Sequence, residues 1–120
     1  MKRILVVDDE EILRMLISDT LEDLGYEIEE AENGEEALNK IMQKSYDLVI
    51  LDYMMPNLTG IEVIERIPSE IKATMPILML TAKAQEADRQ AVLDKGADYF
   101  MSKPFSPVSL VKVVEEILNA

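Results

Sequence analysis

Four apolar runs in this sequence lead into polar residues of chemically useful types. Ile4-Leu5-Val6-Val7 is followed by Asp8 and Asp9, Leu48-Val49-Ile50-Leu51 by Asp52, and Ile77-Leu78-Met79-Leu80 by Thr81. A weaker run closes at Met101, with Ser102-Lys103-Pro104-Phe105 behind it. Carboxylates, a hydroxyl and an ammonium together are the parts of phosphoryl chemistry. Acids hold a hard cation such as Mg2+ through oxygen, a carboxylate attacks phosphorus to give an acyl phosphate, and a hydroxyl and an ammonium take up phosphoryl oxygens. The paired Asp8 and Asp9 suit the metal, Asp52 on its separate run suits the nucleophile, and Thr81 and Lys103 suit the oxygens. Three carboxylates brought together would repel one another strongly unless a cation sat among them.

Whether these residues meet depends on the elements that carry them. Four consecutive apolar residues suit a strand buried on both faces, as in a parallel sheet covered by helices. An ionised carboxylate fits poorly inside such a strand, so Asp52 belongs where the strand stops. The turn and breaker residues carried by the stretch Met54-Met55-Pro56-Asn57 and by Gly60 agree with a loop there. The pattern predicts strands at 4–7, 48–51 and 77–80, with weaker ones over 26–31 and 98–101.

A helical segment follows each strand. In the first, Leu13, Leu16, Ile17, Thr20, Leu21 and Leu24 share one stripe, and Gly25 stands where a helix stops. The second begins near Asn33-Gly34 and is expected to bury Ala37, Leu38, Ile41 and Met42. A third starts after Gly60 with Ile61, Val63, Ile64 and Ile67, and Pro68 should end or kink it. The fourth runs from about Gln85 to Lys95, closed by Gly96, with a thin apolar face of Ala87, Ala91, Val92 and Leu93. The last has Ser106 as N-cap and Pro107 at its first position, then Leu110, Val113, Val114, Ile117 and Leu118.

Strict alternation of strand and helix predicts an α/β fold, a (βα)5 doubly wound parallel five-stranded sheet with right-handed crossovers, as one domain over 1–120. In open sheets of this kind ligands bind outside the carboxyl ends of the strands. All the polar residues named above fall at those ends. Taken singly each has a plainer use: Asp8 to Glu11 as a helix start, Asp52 as a cap or Asx turn, Thr81 as a strand-end hydroxyl, Lys103 as a surface lysine. Their conjunction on one sheet edge favours the chemical reading.

Composition narrows the field further. Lys and Arg total 12 against 24 Asp and Glu, a net charge of -12, which repels phosphate backbones and anionic membranes, so neither direct nucleic-acid binding nor membrane association is expected. Cysteine and histidine are absent, removing disulfides, thiol catalysis, serine-histidine triads and the usual zinc ligands. The apolar run after Lys2-Arg3 is cut short by acids, so no signal peptide is read there, and a cytoplasmic location is expected.

The segments VVDDEE at 6–11, LVILDYMMP at 48–56 with Gly60, LTA at 80–82 and KPF at 103–105 resemble the receiver domain of two-component response regulators. The resemblance spans residues 2–118 and is to the single-domain, chemotaxis-regulator type, with no attached effector domain expected, although an excised receiver fits equally. It implies the flavodoxin-like strand order 2-1-3-4-5. It implies that Asp52 accepts a phosphoryl group from a phosphohistidine on a sensor histidine kinase or histidine phosphotransferase. Mg2+ would be held by Asp9, Asp52, the Met54 carbonyl and, through water, Asp8. It places a cis Lys103-Pro104 bond after the last strand, a switch aromatic at Phe100, and a readout toward a downstream protein target on the fourth helix, fifth strand and last helix. Asp52 would be an exposed nucleophile on a rigid buried mount.

Two positions depart from the family's common pattern. Met54 and Lys83 stand where members often carry polar or acidic residues, and both are expected to modulate the lifetime of the phosphorylated state. On the first helix Ile12 and Met15 lie off the stripe of Leu13, Leu16 and Ile17. The resemblance implies that they join Pro104 and Phe105 in docking a partner's helical hairpin. An aspartyl-phosphate phosphohydrolase would show D-x-D after its first strand, and a flavodoxin a hydroxyl- and glycine-rich loop; the chain has D-D-E-E. An unphosphorylated interaction module is the remaining alternative.

Overall fold

A computed structural model of the protein describes residues 1–82, 90 and 93–119. Five strands, β1 (Arg3–Val7), β2 (Glu27–Ala31), β3 (Leu48–Asp52), β4 (Ile77–Thr81) and β5 (Tyr99–Ser102), form one sheet. Every pairing is parallel and the spatial order is β2-β1-β3-β4-β5, as expected. Among the described residues the helices with defined bounds are α1 (Glu11–Glu22), α2 (Gly34–Gln43), α3 (Gly60–Arg66), the single turn α4 (Ser69–Lys72) and α5 (Pro107–Leu118).

The strand residues sort by parity. Leu5, Val7, Val49, Leu51, Ile77 and Met79 face one layer with Ala37 and Ile41 of α2 and Val63 and Ile64 of α3. Ile4, Val6, Leu48, Ile50, Leu78 and Leu80 face the other, against Ile17 and Leu21 of α1 and Leu110, Val114 and Ile117 of α5. Alternate side chains leave a strand on opposite sides, which is why an unbroken apolar run is required where both faces are covered. Each fully buried Leu or Ile contributes about 1.5–3 kcal/mol, so the ends of β1, β3 and β4 are held by a well-packed interior.

Local chemistry sets the helix boundaries. Asn33 accepts from the Glu36 amide at 2.8 Å at the start of α2. Thr59 and Glu62 form a reciprocal capping box at α3, and Ser106 accepts from the Ser109 amide at 3.1 Å at α5. Gly25 and Gly96 take positive φ, 93° and 116°, where helices were expected to stop. The expected helix over 85–95 lies largely outside the described residues, and Lys83 lies outside them altogether.

Several details differ from the sequence-based expectations. Leu16, Leu24 and Met42 are exposed. In α1 the buried side chains are Ile17, Ser18 and Leu21, so Leu16 falls on the far side, and Leu24 lies beyond the helix end. In α2 the buried line passes through Gly34, Ala37 and Ile41, leaving Met42 turned away. Pro68 does end α3, but the chain restarts at once as α4, for which Pro68 is the N-cap. The last strand runs one residue later than expected, because Asp98 exchanges bonds with Ile77 instead: its backbone N–H donates to the Ile77 carbonyl at 3.0 Å and its carboxylate accepts from the Ile77 amide at 2.9 Å.

Candidate phosphoryl and cation site

Strand register brings the polar residues together. Val7 of β1 pairs with Leu51 of β3, so Asp8 and Asp52 leave their strands at the same level. Asp52 pairs with Leu80, which puts Thr81 one step beyond it, and Thr81 pairs with Ser102, which delivers Lys103 to the same edge. The Lys103 amide donates to the Thr81 carbonyl at 2.8 Å, and the Lys103-Pro104 bond is cis. The Lys103 ammonium donates to Asp52 Oδ1 at 3.0 Å and to Asp8 Oδ2 at 3.3 Å.

Asp52 is not the exposed nucleophile expected; it is only 3% exposed, and Asp8 is fully buried. Only Asp9 of the three carboxylates faces solvent. The reason lies in the backbone around β3. The Tyr53 amide donates to the Leu80 carbonyl at 2.8 Å and the Gly60 amide to the Tyr53 carbonyl at 2.7 Å, folding the loop back over the strand end. A Cβ on Gly60 would stand 2.7 Å from the Asp52 carbonyl oxygen and 2.8 Å from Met79 Sδ, so glycine alone permits this closure.

Burial, and next the charge of Asp8, push the Asp52 carboxyl up to about 6, with the Lys103 hydrogen bond pulling the other way. Burial opposes the charge on Lys103, but its hydrogen bond to Asp52 and the nearby acids outweigh it and hold its pKa above the ordinary value. Near neutral pH the pair is therefore ionised, with one ammonium set against three carboxylates.

Asp8, Asp9 and Asp52 each offer an oxygen, and these atoms lie within 4.8 Å of one another. Such an all-oxygen, negatively charged set fits Mg2+, which favours carboxylates and retained waters. The donor set and the uncompensated buried charge thus agree with the expected cation.

The remaining expected residues are arranged around this cluster. Thr81 is buried at the end of β4, and Phe100 is half-buried against the layer of α2 and α3. Met54 is 59% exposed in the loop after β3. Ile12 and Met15 project from α1 at 79% and 52% exposure. Pro104 is exposed, whereas Phe105 is partly buried against the α1 and α5 layer. A groove of about 360 Å³ runs between Glu10 and Leu13 on one side and Lys103, Pro104 and Phe105 on the other; Ile12 and Met15 lie outside its walls.

Residues 4–115 match the family model described as the response regulator receiver domain. The chain belongs to the response-regulator receiver family. It is 50% identical over 117 residues to the transcriptional regulatory protein ResD of Bacillus subtilis, covering 98% of this chain and 48% of ResD. It is 40% identical to the chemotaxis response regulator CheY4 of Vibrio cholerae, with a TM-score of 0.91 over 98% of this chain and 99% of that one. The response regulator TrrA of Thermotoga maritima, solved in complex with Mg2+-BeF, is 44% identical, with a TM-score of 0.86 over 98% of this receiver and all of TrrA. The receiver spans about half the length of the curated relatives it matches.

One residue of the site escaped the sequence reading. Arg14 reaches back from the first turn of α1 and donates through Nη1 to the Asp8 carbonyl at 2.7 Å. Its signal was present: Arg14 is the sole basic residue of α1, four residues after Glu10 and therefore one helical turn above the acidic loop.

Proposed function

We propose that this receiver is a cytoplasmic, phosphorylation-activated switch in a two-component relay, with Asp52 as its phosphoacceptor. The observation that carries the proposal is the buried Asp52 carboxylate at the end of β3, sharing the Lys103 ammonium with Asp8. An Asp52 oxygen attacks the phosphorus of a phosphohistidine. The new P–O bond forms as the P–N bond breaks, and the imidazole nitrogen leaves with the electron pair. The chain has no histidine, so the donor is a sensor histidine kinase, a histidine phosphotransferase or a small acyl phosphate. The domain's own residues catalyse both gain and loss of the group.

Asp9, Asp52, the Met54 carbonyl and, through water, Asp8 are the residues that would hold Mg2+. When bound, Mg2+ supplies positive charge to the carboxylates and to the transferring oxygens. Lys103 exchanges its contact with Asp52 for a phosphoryl oxygen, and the Thr81 hydroxyl donates to another. As Thr81 moves toward the new group, Phe100 turns inward into the space behind β4. That alters the surface of 85–95, β5 and α5, which a downstream protein target reads. Met54 and Lys83 govern access of the water that ends the phosphorylated state. Ile12, Met15, Pro104 and Phe105 dock the donor's helical hairpin. The net charge of -12 speaks against direct nucleic-acid contact by the domain itself.

The switch is tested by NMR on the protein before and after phosphorylation with acetyl phosphate. Amide shifts are expected to change at Asp52, at Phe100 and across 85–95. Changes confined to the surroundings of Asp52 would contradict a two-state population shift.

A further inference from the structure

The Asp8 carbonyl that Arg14 holds belongs to the peptide linking Asp8 to Asp9. A peptide unit is planar, so fixing its oxygen fixes the orientation of its N–H and of the Cα that carries the next side chain. From the other side the Asp8 amide donates to the Ala31 carbonyl at 3.2 Å, and Asp8 Oδ1 accepts from the Glu10 amide at 2.9 Å. Asp8 is thus tied through both peptide groups and both carboxylate oxygens, the second being on Lys103. Asp9 is exposed, and its Cα is joined directly to this tied peptide.

Arg14 is itself held in place. Its Nε donates to Glu30 Oε1 at 2.9 Å and its side chain is only 12% exposed. The Lys40 ammonium donates to the Glu30 carbonyl and pairs with Glu36 at 3.5 Å, tying α2 to the same strand end. A fixed guanidinium with donors in two directions spans β2 and the acidic loop; a lysine offers one flexible ammonium and cannot keep both contacts in that geometry.

We infer that Arg14 is a positioning residue for the cation site: by clamping the Asp8-Asp9 peptide against Glu30, it aims the Asp9 carboxylate at the point where Asp52 and Asp8 converge. This rests on the reading of Asp9 and Asp52 as Mg2+ ligands. It makes a prediction opposite in sign to simple electrostatics. Arg14 places positive charge beside an acidic cluster, so deleting that charge should by itself strengthen cation binding. If the clamp governs, deletion weakens it.

The test is Mg2+ titration of the wild-type chain, Arg14→Met, Arg14→Lys and Asp9→Asn, followed by amide shifts, with urea midpoints in EDTA reporting the fold separately. Arg14→Met is expected to lose about tenfold in Mg2+ affinity, the usual scale for removing an outer-shell hydrogen bond. Arg14→Lys should fall between it and the wild type. If Arg14→Met fails to fold, Arg14→Lys carries the test, since it keeps the charge and loses only the fork. Unchanged or tighter Mg2+ binding in the folded variants would overturn the inference while leaving the cation site intact. A wild-type chain that binds no Mg2+, or binding indifferent to Asp9→Asn, would remove the cation reading and the inference with it.

Discussion

Lys103 Nζ lies 3.0 Å from Asp52 Oδ1 across 51 residues of sequence, and the same ammonium reaches Asp8 Oδ2 at 3.3 Å. One cation stands between two buried acids, with Asp9 adding a third carboxylate at the rim. The site is therefore short of positive charge. Burial first, and then the charge of Asp8, raise the Asp52 pKa, and the same deficit makes a divalent cation welcome.

A pH dependence follows from the Asp52 carboxyl. Its pKa rises from 3.8 to about 6 on folding, so between those values the folded state holds a proton that the unfolded chain has lost. Stability should then fall as pH rises through this window, by about 3 kcal/mol from this group when the site is free of metal. Urea unfolding in EDTA at pH 4 to 8 checks it: Asp52→Asn should be more stable than the wild type at pH 7, with the difference shrinking toward pH 4. Parallel pH profiles for the two proteins would contradict the burden placed on Asp52.

Gly60→Ala should disturb the end of β3 at Asp52 without touching a charge. The added methyl meets the Asp52 carbonyl oxygen at 2.7 Å and Met79 Sδ at 2.8 Å, and backbone in a packed strand yields poorly. A loss of about 1–3 kcal/mol is expected from urea midpoints, together with slower phosphorylation by acetyl phosphate in the remaining folded protein.

Much of this arrangement was legible because strands buried on both faces leave unbroken apolar runs. The runs at 4–7, 48–51 and 77–80 marked the three central strands, and the residues after them marked the site. Burial at the site was less legible. Nothing in the local pattern around Asp8 distinguishes a solvated helix start from a carboxylate sealed beneath Lys103, a partner 95 residues away. The α1 stripe misled because Leu16 and Leu24 are as apolar as Ile17 and Leu21; only packing against the sheet and α5 decides which side turns inward. The short α4 was missed since Pro68 signals a stop and, equally well, a new start. For Arg14 the pattern offers a lone basic residue one turn above the acidic loop, but that does not reveal its two hydrogen bonds, to a backbone carbonyl and to Glu30.

Met15→Asp separates donor docking from chemistry. Met15 is half exposed on α1 and away from the carboxylates, so a charge there should leave acetyl phosphate reactivity unchanged. Phosphotransfer from a cognate histidine kinase should slow by about tenfold or more, the scale of losing a central apolar contact. Equal slowing with both donors would assign Met15 to the fold instead of the docking surface.

The most direct measurement is the intact mass of the protein after incubation with acetyl phosphate, with and without Mg2+, for the wild type and Asp52→Ala. A single hydroxylamine-labile phosphoryl adduct is expected, appearing only when both Mg2+ and Asp52 are present. An adduct that persists in Asp52→Ala, or none on folded wild-type protein with Mg2+ bound, would contradict Asp52 as the phosphoacceptor.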